Sequence, residues 1–124
     1  MNYPDNVVSI HPYFKIHAGK LDEFQASLSA FIEKTATEAK NLYYDFTIHG
    51  NVVFCREAYI GADGLLEHLA NVGALLDPLM KLADLSRVEV HGPAAELDKL
   101  KEPLAQLNPV WFTYLFGVKR SSGR

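Results

Sequence analysis

The spacing of apolar residues switches between a period of two and a helical period along the chain, and this order constrains the fold more than any other feature. In residues 7–17, apolar and polar side chains alternate, which predicts a β-strand. Pro12 interrupts this strand and predicts an edge position or a bulge, because proline has no N–H to donate to a neighbouring strand. In residues 21–40 the apolar side chains instead share one helical stripe, which predicts an amphipathic helix.

A hairpin follows the first helix. Residues 42–49 and 52–60 each have the composition and alternation of a strand. Gly50 and Asn51 lie between them, and both residue types tolerate the positive φ angles that a two-residue hairpin turn requires. The sequence therefore predicts two antiparallel strands joined by a tight turn.

A second helix and a fourth strand complete the pattern. The helix is predicted to start at an N-cap on Asp63 and to end near Leu82, with a kink or break at Asp77-Pro78, because proline disfavours a helical conformation in the residue before it. Residues 87–91 form a short strand that ends at a Gly-Pro pair. The order β-α-β-β-α-β predicts an α+β fold of the ferredoxin-like type.

The C-terminal residues extend this plan. A third short helix is predicted over 94–104, and a last strand over 110–118 is apolar on both of its faces. Such a strand needs cover, and a second copy of the chain is the simplest source, so we expect a homodimer with this strand crossing or following the interface. We interpret 1–124 as a single domain with a core over 7–91, the extension over 94–118 and a frayed tail over 119–124.

Composition limits the classes of function. The formal net charge is −3 with charges of both signs scattered along the chain, so no nucleic-acid-binding surface is expected. No apolar run is long enough to span a bilayer, so no membrane partner is expected, and the first residues do not resemble a signal peptide. Cys55 is the single cysteine, which rules out an intrachain disulfide and favours the cytoplasm.

Four short motifs resemble the antibiotic biosynthesis monooxygenase family of dimeric α+β barrels. Residues 56–60 (Arg-Glu-Ala-Tyr-Ile) and 65–69 (Leu-Leu-Glu-His-Leu) are similar to the family's third strand and following helix. Residues 14–20 are similar to its first strand and glycine turn, and 37–44 to the stretch that leads into its second strand. At the last of these, Ala-Lys replaces the usual turn residues.

The resemblance implies a homodimer whose sheets close into a barrel, with a ligand cleft between each sheet and its helices. It implies several activities: cofactor-free oxygenation of quinols and aromatic polyketides, haem breakdown, and isomerisation of a small sugar-like molecule. The haem-degrading branch has functional residues at positions that here hold Pro12, Tyr59 and Pro78, so haem turnover is disfavoured. We expect no bound cofactor.

His68 is the first candidate for a catalytic residue. It falls inside the apolar arc of the second predicted helix, where an imidazole can act as a general acid or base or hydrogen-bond within the core. By resemblance, Tyr59 would line the cleft as a second catalytic residue and contact a planar substrate. Glu57 lies on the same parity as Tyr59 and is a candidate for substrate binding or for a structural ion pair.

His11 and Tyr13 lie on the polar parity of the first strand. They would bind substrate if that parity faces the cleft and would be solvated if it does not. No cluster of histidine, cysteine or carboxylate residues has metal-ligand spacing, so no metal site is expected. Cys55 is interpreted as a packed core residue.

These observations together predict a cofactor-independent monooxygenase that acts on a small aromatic or quinol-type molecule. Two alternatives stay open. The first is a non-catalytic ligand-binding or dimerisation module of the same fold, and the second is a cofactor-free isomerase that uses His68 for proton transfer.

Overall fold

The computed structural model describes residues 5–119. The predicted tail beyond Lys119 and the first four residues therefore lie outside the described residues. Within them, the elements are β1 (Val7–Ile16), α1 (Leu21–Thr35), β2 (Asn41–His49), β3 (Val52–Ile60), α2 (Gly61–Leu79), β4 (Ala83–Gly92), α3 (Ala94–Leu100), a single 3₁₀ turn (Ala105–Leu107) and β5 (Val110–Thr113).

The strands form one sheet in the order β2-β3-β1-β4-β5. All neighbouring pairs are antiparallel except β4 and β5, which run parallel. The first six elements therefore have the ferredoxin-like α+β arrangement that the sequence predicts. The hairpin is confirmed as well, since Gly50 takes a φ of 59° between β2 and β3.

The side chains of β1 divide between the two faces of the sheet. Val8, Ile10, Phe14 and Ile16 are buried, and together with α1 and α2 they form a hydrophobic core on one face. The opposite parity is less buried and carries polar and aromatic side chains. A strand that alternates in this way has one face for the helices and one that the helices leave uncovered.

Pro12 lies in a central strand, and the expected edge position is wrong. Proline is tolerated here because the pairing of β1 with β3 skips residues 11 and 12. The pairing resumes at Tyr13, opposite Phe54. The pairing of β1 with β4 also shifts register between Tyr13 and Phe14. The missing N–H of the proline therefore costs little at this position, and the expected irregularity is present beside it.

The two main helices differ from the predicted bounds. α1 ends at Thr35 instead of continuing to residue 40, and residues 36–40 form a turn. α2 begins at Gly61, whose φ is 73°, and Asp63 lies inside its first turn. Pro78 lies in the last turn of α2 and does not break it.

The C-terminal extension packs against the remainder of this chain. Leu97, Leu100 and Leu104 belong to the core cluster that also contains Tyr59. β5 pairs in parallel with β4 and adds a fifth strand to the sheet of its own chain. Pairing this edge satisfies backbone groups of β4 that would otherwise be exposed.

β5 also ends earlier than predicted. It covers only four residues, and the apolar side chains beyond it are exposed. The exposed fractions of Leu115 and Phe116 are 84% and 82%. None of the helices in the described part of the chain combines the length and apolar character that crossing a bilayer requires.

Candidate active site

A cavity of about 290 Å³ lies between the sheet and the helices α1 and α2. Most of its wall is aliphatic or aromatic, as expected for a site that binds a small apolar molecule. Its polar groups come from four side chains, Tyr44, Cys55, Glu57 and His68. The apolar wall includes Ile10, Phe14, Phe31, Val72, Leu76 and Leu85.

His68 reaches this wall from the apolar stripe of α2, where its side chain is only 3% exposed. Its Nδ1 lies 3.0 and 3.1 Å from the two carboxylate oxygens of Glu38. A carboxylate only accepts hydrogen bonds, so Nδ1 carries the proton and the lone pair of the neutral ring is on Nε2. Glu38 therefore sets both the orientation and the tautomer of His68, in the way that a carboxylate orients a catalytic histidine.

Glu38 lies in the turn between α1 and β2. Asn71 of α2 holds it in place, donating from Nδ2 to Glu38 Oε2 at 2.8 Å and to the carbonyl oxygen of Lys34 at 2.9 Å. The turn exists because α1 stops at Thr35. The predicted helix continues to residue 40, so Glu38 is a site residue that the sequence does not indicate, and no periodic signal marks it.

Glu57 faces His68 from β3 on the other side of the ring. Its Oε1 lies 3.4 Å from His68 Nε2 and accepts a hydrogen bond of 2.5 Å from the hydroxyl of Tyr59. The thiol of Cys55 is a further donor to this carboxyl group. Cys55, Glu57 and Tyr59 can all meet because alternate residues of a strand point to the same face.

The environment of Glu57 keeps it partly protonated near neutral pH. Burial raises the pKa of Glu57 to about 7, although its hydrogen bonds from Tyr59 and Cys55 act in the opposite direction. Burial also lowers the pKa of His68, and the hydrogen bond and charge of Glu38 oppose that shift. Glu57 Oε1 and His68 Nε2 therefore face each other as a carboxyl group of raised pKa and an imidazole of lowered pKa, and protonation of one affects that of the other.

Tyr44 is a second wall residue that the sequence analysis did not single out. Its ring centroid lies 5.1 Å from that of His68, and it comes from β2, the strand that follows the Glu38 turn. Burial, reinforced by the charge of Glu57, raises the pKa of Tyr44 far above its usual range. The phenol therefore stays neutral and can donate a hydrogen bond.

Tyr59 is placed differently from the expectation. It is completely buried, does not line the cavity, and contacts His68 with its ring at a centroid distance of 4.9 Å. Its hydroxyl is directed at Glu57, so the contact that it makes is with a catalytic candidate and not with a ligand. Tyr44 has the aromatic wall position that the sequence analysis expected of Tyr59.

His11 and Tyr13 lie on the face of the sheet opposite the cavity, so the structure corrects their predicted place beside His68. β1 points Ile10, Pro12 and Phe14 into the cavity, and a strand cannot point the intervening residues to the same side. His11 accepts or donates a hydrogen bond of 2.8 Å with Ser9 and packs edge-on against His91 at 4.5 Å. Tyr13 packs against Phe54.

The cavity lacks the features of a metal centre. No group of three histidine, cysteine, aspartate or glutamate side chains within residues 5–119 is arranged to hold a metal ion. Cys55 is 1% exposed, and burial raises the pKa of its thiol well above the usual range, with Glu57 adding to the shift. A thiol in this state is a poor nucleophile and serves as a packed hydrogen-bond donor.

Comparison with solved structures identifies the class of fold. The cofactor-independent oxygenase SnoaB from Streptomyces nogalater is 16% identical and superposes with a TM-score of 0.58 over 68% of this chain and 88% of its own. Another structure described as an antibiotic biosynthesis monooxygenase is 17% identical, with a TM-score of 0.59 over 67% of this chain and 92% of its own. The fold is that of the antibiotic biosynthesis monooxygenases, as the sequence motifs predict.

A more similar structure extends over almost the whole chain. MupZ from Pseudomonas fluorescens is 43% identical and has a TM-score of 0.90 over 93% of this chain and 95% of its own. The chain therefore belongs to the same protein family as MupZ. No model of a protein family matches the sequence, and no curated protein is significantly similar to it.

Proposed function

We propose that this protein is a cofactor-independent enzyme that transfers protons on a small, mostly apolar substrate bound in the cavity. One observation carries the proposal: His68 lies between two buried carboxyl groups, Glu38 on Nδ1 and Glu57 on Nε2, at the wall of an otherwise apolar cavity. Burying three titratable groups together is unfavourable unless they are paired, and such clusters concentrate at functional sites.

His68 has the properties of a general base in this arrangement. Its Nε2 lone pair faces Glu57 at the cavity wall, and the Glu38 carboxylate stabilises the imidazolium that forms when Nε2 accepts a proton. Glu57, with a pKa of about 7, supplies a carboxylic acid proton close by. An acid and a base that face each other on one wall can take a proton from one substrate atom and return one to another.

Isomerisation by proton transfer uses both of these groups. His68 removes a proton next to a carbonyl group or from a hydroxyl, and Glu57 protonates the atom at which negative charge develops. No oxidant is required. The proximity of Glu57 to His68 Nε2, at 3.4 Å, favours this reaction because a base alone would suffice for the other candidate.

Monooxygenation of a quinol-type or other small aromatic substrate is the second candidate, and the fold shared with SnoaB supports it. Here His68 takes the phenolic proton and the resulting anion reduces O2. One oxygen atom enters the substrate and the other leaves as water, with all the electrons coming from the substrate.

The size of the cavity argues against a purely structural module. A protein that had lost its ligand would be expected to fill the space between sheet and helices with large side chains, because interiors pack densely. Here about 290 Å³ stays unfilled next to the buried acid–base cluster. We therefore place the non-catalytic alternative third.

One experiment separates the three candidates. A hydroxyanthrone carries a phenol and an exchangeable CH2 group beside its ring, and both reactions can be followed on it. In D2O without O2, the wild-type protein should accelerate deuterium uptake at the CH2 group, measured by NMR. His68→Ala should abolish the acceleration in protein that circular dichroism shows to be folded at the assay temperature. O2 uptake and quinone absorbance under air would indicate oxygenation. Wild-type rates equal to those of His68→Ala in both assays would refute the proposal that the protein is an enzyme.

We further propose a homodimer in which a second copy covers the uncovered face of the sheet. This face carries the half-buried aromatic pair Tyr13 and Phe54, and beside it Phe112 and Tyr114 are 40% and 46% exposed. Apolar surface of this extent usually marks an interface. Sedimentation velocity should show a dimer at micromolar concentration, and a stable monomer would refute it. The buried free thiol of Cys55 is consistent with a reducing compartment such as the cytoplasm.

A further inference from the structure

The polar end of the cavity carries acidic groups without a basic partner from lysine or arginine. None of the described residues that line it is Lys or Arg, and its titratable side chains are Tyr44, Cys55, Glu57 and His68. We propose that the ligand is an uncharged molecule with a hydroxyl or carbonyl oxygen at the Glu57–His68 end and an apolar body along the remaining wall. This inference rests on the proposed function, since it names the substrate class of the same site.

The charge of the cluster disfavours an anionic ligand. Glu38 and Glu57 place two carboxyl groups around one imidazole, at 3.0 and 3.4 Å, and none of the described residues that line the cavity is a lysine or arginine that would offset their charge. The carboxylate of a ligand at this end would add a further negative charge within a few ångström of these groups. In a buried setting, such repulsion weakens binding by about tenfold or more.

The hydrogen bonding of the cluster disfavours a cationic ligand. Glu38 already accepts from Asn71 and His68, and Glu57 accepts from Tyr59 and Cys55. An ammonium group has three donors that all need acceptors, and the rest of the wall is apolar. A hydroxyl or carbonyl oxygen needs only one or two partners, which the Glu57–His68 pair can supply.

A matched set of ligands tests the charge preference. 2-Naphthalenemethanol, 2-naphthoate and 2-naphthylmethylammonium share one ring system and differ in the charge of the attached group. At pH 7.5, calorimetric titration and the ring ¹⁵N signals of His68 should both show binding of the alcohol. The carboxylate and the ammonium compound should bind at least about tenfold more weakly.

Two variants link the preference to the cluster. Glu57→Gln keeps a donor and an acceptor but removes the ionisable group, so the carboxylate should gain affinity relative to the alcohol. Glu67→Gln is the matched control, because Glu67 is 58% exposed and pairs with Lys40 at the surface. It should leave the order of the three ligands unchanged.

The outcomes distinguish this inference from the proposed function. If a charged ligand binds as tightly as the alcohol or more tightly, and moves the His68 signals, the ligand class is wrong while the cavity keeps its proposed role. If none of the three ligands moves the His68 signals, both the ligand class and the proposed function are wrong. If Glu57→Gln does not change the relative affinity of the carboxylate, the negative charge of the cluster is not the cause of selection.

Discussion

Replacing Glu57 by glutamine should make the folded state more stable at alkaline pH, which is unusual for a substitution in a buried polar cluster. The side chains have nearly the same shape. The amide oxygen of Gln can accept from the Tyr59 hydroxyl, as Glu57 Oε1 does at 2.5 Å. The same Oε1 is the atom that lies 3.4 Å from His68 Nε2. The variant therefore keeps the hydrogen bond from Tyr59 and carries no charge at this position at any pH.

The magnitude of this gain in stability follows from the pKa of Glu57. Burial raises this pKa from 4.5 to about 7. One pKa unit corresponds to about 1.4 kcal/mol, so the ionisation of Glu57 changes the free energy of unfolding by about 3 kcal/mol. The pKa is higher in the folded than in the unfolded chain, so this stability is complete below pH 4.5 and is lost as the pH rises through 7. Glutamine does not titrate, so the variant loses no stability at this position as the pH rises.

The gain of Glu57→Gln over the wild type should therefore grow by about 2–3 kcal/mol between pH 5 and pH 8, or by roughly 10 °C in melting temperature. His68 contributes in the opposite direction, because its lowered pKa costs stability as the pH falls below 6.5. Both proteins contain His68 and Glu38, so the part of this contribution that comes from burial and from Glu38 cancels in the difference between them.

Urea unfolding followed by the fluorescence of Trp111, the single tryptophan, measures this difference at pH 5, 6.5 and 8. The surface variant Glu67→Gln should show no comparable trend, since Glu67 is 58% exposed. A stability difference between Glu57→Gln and the wild type that is independent of pH would refute the reasoning. A variant that is less stable than the wild type at pH 8 would refute it as well.

Three other perturbations test separate parts of the structure. Glu38→Gln should lower the pKa of His68 further in a ¹⁵N NMR titration, because it removes the charge that opposes the effect of burial; an unchanged pKa would contradict the pairing of His68 with Glu38. Leu107→Trp should reduce the affinity for 2-naphthalenemethanol, measured by calorimetry, by about tenfold, since Leu107 lines the cavity. Leu115→Trp, on the exposed segment, should leave this affinity unchanged, and equal effects of the two variants would place Leu107 away from the ligand. Deleting every residue after Pro109 should give a monomer or an aggregate in sedimentation, because it uncovers the edge of β4; a truncated dimer with a near-normal melting temperature would show that the segment is dispensable.

The order of elements could be predicted from the sequence because each of them has its own hydrophobic period. Alternation over Val52–Ile60, with Gly50 before it, indicated the hairpin without knowledge of any other part of the chain. The position of His68 on the buried face of its helix was predictable for the same reason. The predicted length of β5 was wrong, because a run that is apolar on both faces does not show where pairing with a neighbouring strand stops.

The partners of His68 could not be predicted. Its two carboxylates come from positions 30 and 11 residues earlier in the chain, one in a turn and one in a strand. Glu38 is available only because α1 stops five residues before its periodic pattern does, and local propensity does not determine such an end. For Glu57 and Tyr59 the sequence indicated a shared face but not which of them lines the cavity.

The sequence by itself thus determined the local structure, the ferredoxin-like order of its elements and a histidine placed against the core. Only the tertiary structure decided that His11 and Tyr13 lie on the face of β1 away from the cavity and that Glu38, Glu57 and His68 meet around one imidazole. The physical reason is that hydrophobic periodicity records which side of an element is apolar. The meeting of polar groups depends on how separate elements pack, and on the free energy of burying their charges together.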